Sequence, residues 1–233
     1  MAYVAVVAFT IALTACTYAL TRQAFLRYGH ALLSPVFLST LLIIAILLLA
    51  GIPFEDYRPG QSLMTALLGP AVVALALPLY RQRRALRVRL PAMAAGVVSG
   101  SIVSVVSVMA VARAAGLEPR IVVSLAPKSV TAPVAVEIAR LVGGDPALTA
   151  AFVIATGTLG SMIGPWFLSR VNIQDPVARG LAVGTAAHGQ GTAMMLQEGE
   201  TQGALSGVAL ALSAAFTSFI APVLIPWLVR TGH

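Results

Sequence analysis

Six uncharged, apolar stretches divide the chain: Met1 to Thr21, Ala31 to Phe54, Pro59 to Tyr80, Leu90 to Ala112, Pro146 to Ser169 and Thr201 to Val229. Each is long enough to cross a bilayer as a helix, which takes roughly 20 apolar residues. Two further stretches, Gly116 to Asp145 and Val171 to Glu200, are mostly small and apolar. Each is cut by a short polar cluster, PKSVTAP at 127–133 and HGQGT at 188–192. They are too polar for simple spans and too apolar for loops in water. The pattern predicts an all-α integral membrane protein with about six full transmembrane helices plus two broken or re-entrant helical segments. It reads as one membrane domain over 1–233, with the first four helices in 1–113 and two repeated units in 121–229.

The two interrupted stretches resemble each other. Ser129-Val130-Thr131-Ala132 matches Gln190-Gly191-Thr192-Ala193 at an offset of 61 residues. In both, a short amphipathic piece, an acidic turn and a long apolar helix follow, the helix ending in Gly164-Pro165-Trp166 or Ala221-Pro222. Irregular backbone survives at membrane depth only where it lines a cavity or is buried in protein, and paired breaks of this kind mark a transporter's binding site. If each segment re-enters on the side it left, the repeat is inverted; if each crosses, the units are parallel. The re-entrant form is preferred because it puts Arg170 and Arg179 in the cytoplasm.

Composition agrees with the pattern: 58% of residues are hydrophobic and 10% charged, against about a quarter charged in soluble domains. The net charge of +7 could suggest a nucleic-acid partner, but Arg81, Arg83, Arg84, Arg87 and Arg89 form one cluster in a short loop. Short basic loops stay in the cytoplasm, so the charge reports topology and contact with the lipid bilayer, not nucleic acid. Arg22 and Arg27 then lie inside, Glu55-Asp56-Tyr57 outside, and the N-terminus faces out. The first stretch lacks a basic segment ahead of it and is kept as a helix, not a secretory signal. Cys16 has no second cysteine, which excludes disulfides and thiolate metal sites.

Three small-xxx-small pairs, Gly96/Gly100, Gly160/Gly164 and Gly203/Gly207, indicate close helix packing. Gly69-Pro70 and Pro78 are expected to kink the third span.

Lys128 is the only lysine among the fifteen Lys and Arg residues. It sits between Pro127, which donates no backbone hydrogen bond, and the hydroxyls of Ser129 and Thr131, with Pro133 beyond. A short helix starting there would add its positive end to the ammonium and suit an anion. The alternative is a lysine that snorkels to an interface. His188 occupies the second break with Gly189, Gln190, Gly191 and Thr192; its imidazole could bind a ligand and couple it to a proton, or could serve only as a hydrogen-bonded turn residue. Pro127, Pro133, Gly189 and Gly191 are the expected backbone breaks. Lys128, Ser129, Thr131, His188, Gln190 and Thr192 are the candidate substrate-binding residues. Glu137 is either a counter-ion to Lys128 or a residue of the aqueous end, while Glu198 and Glu200 are expected to head the last helix as dipole partners. No metal-ligand spacing, nucleotide loop or nucleophile elbow appears, so no catalytic residue, metal or cofactor is expected and the chain does not read as an enzyme.

The strings PKSVTAPVAVEIARLVGG, LTAAFVIATGTLGSMIGP and GLAVGTAAHGQGTAMMLQEGE, with GIPFEDY and LLGPAVVALALPLY upstream, resemble the LrgB/CidB family of bacterial membrane proteins from about residue 31 onward. The resemblance implies a multi-pass protein of the bacterial cytoplasmic (inner) membrane that works beside a small LrgA/CidA-type membrane partner. It also implies a role in murein hydrolase control and autolysis, or in transport of pyruvate, glycolate or glycerate. The family's motifs fall on Pro127, Lys128, Ser129, Thr131 and Pro133, and on His188, Gly191 and Thr192. Ala132 and Met194 depart from its pattern.

A proton-coupled transporter of small monocarboxylates accounts for the paired breaks and the lone lysine together. The rivals are a holin-like pore, possible as a homo-oligomer with the glycine pairs as subunit faces, and a membrane-embedded regulator of cell-wall hydrolases.

Overall fold

The computed structural model describes residues 2–28, 33, 35–67 and 83–231, with positions 70, 73, 77 and 80 between them. Among the described residues the regular elements are helices: α1 (Ala2–Tyr28), α2 (Pro35–Leu49), α3 (Phe54–Ala66), α4 (Arg83–Ala114), α5 (Pro119–Leu125), α6 (Ala132–Val142), α7 (Pro146–Arg170), α8 (Pro176–Glu198) and α9 (Glu200–Thr231). Among the described residues, four stretches are long and apolar enough to cross a membrane: Tyr3–Tyr28, Arg89–Ala114, Pro146–Arg170 and Glu200–Arg230. The second expected span is shorter than its apolar run. Helix α2 has 15 residues, about 22 Å at 1.5 Å per residue, because Gly51 at φ 64 turns the chain and Pro53 precedes the next helix. Helix α3 begins at Phe54, earlier than expected. Within the rest of the third run, Gly69 and Pro78 lie outside the described residues, as does Arg81 in the basic loop that follows it.

The chain forms two compact units, Met1–Ala76 and Leu77–His233. In the first unit, Thr10, Thr17 and Thr21 are buried on one stripe of α1. Each hydroxyl turns back onto a carbonyl four residues earlier, so none is left unpaired. Thr14 adds a 2.8 Å bond to the Tyr57 hydroxyl, and Gly60 lets α3 approach Thr10.

The second unit contains two helical hairpins. Helices α5 and α6 enter and leave at the same end. Arg120 pairs with Asp145 at 2.8 Å, the Asp145 N-H donates to Ser124 Oγ at 2.7 Å, and Thr149 donates to the Ser124 carbonyl at 2.9 Å. The start of α5 therefore lies beside the start of α7, and residues 126–131 form a buried tip. Helix α6 buries Ala135, Ile138 and Ala139 on one face. It ends at Gly143, whose φ of 80 suits a residue without Cβ.

Helix α8 is itself a hairpin, broken at Ala187 (φ −123, ψ 17) and His188 (φ 41, ψ −135). Its two ends meet at a clamp. Arg179, 6% exposed, donates to both Glu198 oxygens at 2.9 and 2.7 Å. It also reaches Ser169, the Ile173 carbonyl and the Pro165 carbonyl, so all its N-H groups are engaged. Glu198 thus closes this hairpin and is not a dipole partner of the last helix; Glu200 does stand in the first turn of α9. Glycines let the hairpin pack: a Cβ on Gly180 would strike the Gln202 carbonyl, and one on Gly184 the Ser206 carbonyl.

Helix α7 runs from the end that holds the first hairpin's base to the end that holds the second's. Arg89 pairs with Asp175 at 2.8 Å, which places the start of α4 beside the start of α8. Arg113 donates to the Leu228 carbonyl at 2.8 Å, which places the end of α4 beside the end of α9. Hairpin then spanning helix thus occurs twice in opposite senses, the inverted form of the repeat. Arg170 and Arg179 consequently share an end with Arg83–Arg89.

In a background lacking Cys16, single cysteines at Glu118 and Leu141 should react with an impermeant reagent from one side of the membrane and one at Gln174 from the other. Arg179→Ala should destabilise the protein by about 3 kcal/mol, because it leaves the Glu198 carboxylate without its buried partner; thermal unfolding checks this.

Candidate functional site

The first tip forms where two prolines remove donors from the backbone. Helix α5 stops at Leu125, Lys128 N-H reaches back to the Leu125 carbonyl, and Val130 N-H to the Pro127 carbonyl. Thr131 (φ −62, ψ 146) then caps α6 without using its hydroxyl, and Pro133 stands in the first turn, where a missing N-H costs nothing. Lys128 Nζ lies 3.1 Å from Ser129 Oγ and 3.5 Å from Ser104 Oγ, and those two hydroxyls are 2.7 Å apart.

Ser104 falls near the middle of the Arg89–Ala114 span, so the ammonium sits at depth and not at a helix end. A lysine there costs about 2.5 to 3.5 kcal/mol on insertion scales. Among the described residues no carboxylate bridges it: Glu137 is exposed and pairs with Arg140 at 2.8 Å, which rules it out as the counter-ion.

The second tip is sharper. The non-helical residues are Ala187 and His188; Gly189 and Gly191, the expected breaks, lie in the helical second arm. The role of Gly191 is contact, since a Cβ there would come within 2.7 Å of Val183 and 2.8 Å of Ala187. His188 adopts a positive-φ conformation that a side chain rarely takes, at a cost of order 1–3 kcal/mol. It is held by contact between Nε2 and the Val153 carbonyl at 2.9 Å. A carbonyl only accepts, so Nε2 carries the proton and Nδ1 is left to accept one.

Thr192 bonds the His188 carbonyl at 3.0 Å and Ser206 at 2.9 Å, so its hydroxyl supports the tip. Gln190 Oε1 accepts from Thr158 at 3.2 Å. Val153, whose carbonyl meets His188, belongs to the same buried cluster as Ala126 and Val130 of the first tip, so the two tips adjoin one core. Each tip also presents the N-terminal, positive end of its hairpin's second arm.

A cavity of about 730 Å³ runs between α4 and the first arm of α8. Its outer end is formed by Arg89 and Asp175, its walls include Gly96 and Gly100, and its inner end holds Thr185 and Ser104. Ser104 thus connects the cavity to Lys128 and Ser129. Behind the first tip, Ser101, Ser104, Ser129, Ser213 and Thr217 surround a second space of about 10 Å³, the size of a single water. Among the described residues no three His, Cys, Asp or Glu side chains gather as a metal site needs.

Sequence reasoning missed Ser104, Thr158, Gly157 and the Val153 carbonyl, all on spanning helices without a polar cluster to draw notice. Only the serine run at 99, 101, 104 and 107 in an apolar helix could have signalled Ser104. At Gly157 a Cβ would strike both Gln190 and His188.

Gly157→Ala should therefore displace the second tip and destabilise the protein by about 1–3 kcal/mol, read by thermal unfolding. Outside the membrane, backbone N-H groups of Leu148 and Ala178 hold the Asp145 and Asp175 carboxyls, respectively, below the usual range. A depressed carboxyl stabilises the fold above its unfolded pKa and loses that contribution as pH falls through its folded value. Asn caps a helix equally well but does not titrate, so the melting-temperature gap between wild type and Asp145→Asn should close on acidification.

The model of the LrgB-like family matches residues 14–227. The Bacillus subtilis (strain 168) protein YxaC, described as uncharacterized, is 36% identical over 94% of both chains; YwbG of the same strain, also described as uncharacterized, is 34% identical over 93% of this chain and 96% of its own. The holin-like protein CidB of Staphylococcus aureus (strain Mu50 / ATCC 700699) is 33% identical over 92% of this chain and 94% of its own. No solved structure matches. With a family model spanning most of its length, relatives above 30% identity over nearly whole chains, and an all-helical membrane architecture, this multi-pass membrane protein belongs to the LrgB-like family.

Proposed function

We propose that the protein is a proton-coupled transporter of small monocarboxylates such as pyruvate, glycolate or glycerate. One observation carries the reading: two hairpin tips of opposite sense adjoin one buried cluster, the first through Ala126 and Val130 and the second through Val153, and the lysine at the first has no acidic partner among the described residues. An ammonium whose burial is not offset by the protein is suited to a carboxylate that arrives and leaves. Ser129, Ser104 and the free first-turn N-H groups of α6 supply hydrogen bonds to the carboxylate oxygens. His188, through Nδ1, is the proton-accepting group of the second tip. Gln190 orients that tip through Thr158, and Thr131 stands at the start of α6 beside the lysine.

The chemistry is binding and translocation, with no covalent step and no cofactor. The arginine-rich end faces the cytoplasm by the positive-inside rule, so the 730 Å³ cavity is an inward-facing vestibule. The membrane is the bacterial cytoplasmic membrane, and a small LrgA/CidA-type protein is the expected partner.

The name of the staphylococcal relatives, holin-like, favours a second reading in which the protein forms a pore or takes part in murein hydrolase control. A pore passes many solutes without saturation and has no need of one lysine.

Proteoliposomes holding the wild type should take up labelled pyruvate or glycolate saturably and faster under an inward proton gradient. Lys128→Ala should lower the rate at least about a hundred-fold, as expected on losing a charge-assisted hydrogen-bonding site worth about 3 kcal/mol. A non-saturable leak that ignores the substitution would favour the pore.

A further inference from the structure

The outer end of the cavity pairs a cation with an anion in an uneven way. Arg89 and Asp175 meet at 2.8 Å through one guanidinium nitrogen and Asp175 Oδ2, and both line the cavity. Asp175 Oδ1 is committed elsewhere, accepting from the N-H groups of Val177 at 2.8 Å and Ala178 at 3.0 Å as the cap of α8. Asp175 therefore keeps its seat if Arg89 turns away. Arg89 depends on no other hydrogen bond to a described residue, and its side chain is 53% exposed. Ion pairs this exposed hold by only about 0–1 kcal/mol, so a second carboxylate can take the guanidinium at little cost.

We propose that Arg89 is an outer docking station of the cavity, where an incoming monocarboxylate exchanges with Asp175 for the guanidinium before moving inward to Lys128. The station rests on the transporter reading and adds a binding residue to it. A guanidinium suits this step because its planar fork takes a carboxylate in two-point fashion. Beyond Arg89 the wall is Ala92, Gly96 and Gly100 on α4 facing Ala178 and Ala182 on α8, a slot without charge. No polar side chain detains the anion until Thr185 and Ser104 at the inner end. Asp175 acts as the resident competitor, which keeps the station from holding its anion tightly.

The two partners make opposite predictions, which separates docking from mere support of the fold. Equilibrium exchange of labelled pyruvate, at equal concentration on both faces of proteoliposomes, reads the station whichever way the protein inserts. Arg89→Gln should raise the half-saturating concentration about ten-fold, the loss expected of one charge-assisted hydrogen bond, with a far smaller change in maximal rate; Arg89→Lys should recover part of it.

Asp175→Asn removes the competitor yet still caps α8, and should lower the half-saturating concentration about two- to three-fold, since the pair it breaks is weak. Added salt should weaken saturation of the wild type more than of Arg89→Gln. If both variants shift saturation the same way, or neither does, while Lys128→Ala abolishes exchange, the station is overturned and the transporter reading stands. If the wild type shows no saturable exchange, both fall together.

Discussion

The arrangement of the second unit follows from one constraint: backbone groups freed from a helix inside a bilayer have no water to bond and must be satisfied by protein. Two chain reversals raise this demand at membrane depth, and the packing around them answers it. At the first, Lys128 and Val130 donate back into the turn, while Thr149 and Asp145 fasten Ser124 to the start of the next helix. At the second, Thr192 covers the His188 carbonyl and the imidazole covers that of Val153. Small residues are the means: Gly157, Gly160, Gly180 and Gly184 bring backbones close enough for these bonds to form.

Charge is handled differently at the ends and at the centre. Arg120, Arg140 and Arg179 have acidic partners near the membrane surfaces, and Arg179, the most buried of them, spends every donor on its clamp. Among the described residues, Lys128 has hydroxyls only. The strained His188 at the second tip is held by its bond to Val153, for backbone conformations of that cost persist where surrounding structure fixes them.

The sequence by itself determined the membrane class, the apolar runs, four of which became the long helices, the neighbourhood of both breaks and the internal repeat, because apolar run length and interruptions by Pro, Gly and polar residues act locally. Lys128 and Ser129 stood out for the same reason and lie together at the first tip. Tertiary structure decided what local pattern cannot encode. The second run became a short helix, the second break fell on Ala187 and His188 one step before the glycines, and Glu198 turned to Arg179 instead of heading α9.

It also decided that each broken segment returns to its own side, since that rests on Arg120 with Asp145 and Arg179 with Glu198, pairs far apart in sequence. Ser104, Thr158 and Gly157 acquire their roles only when spanning helices bring them to the tips. Hydrophobic pattern states which segments leave water; the pairing of buried polar groups, which depends on neighbours from other helices, states where each segment ends and what it faces.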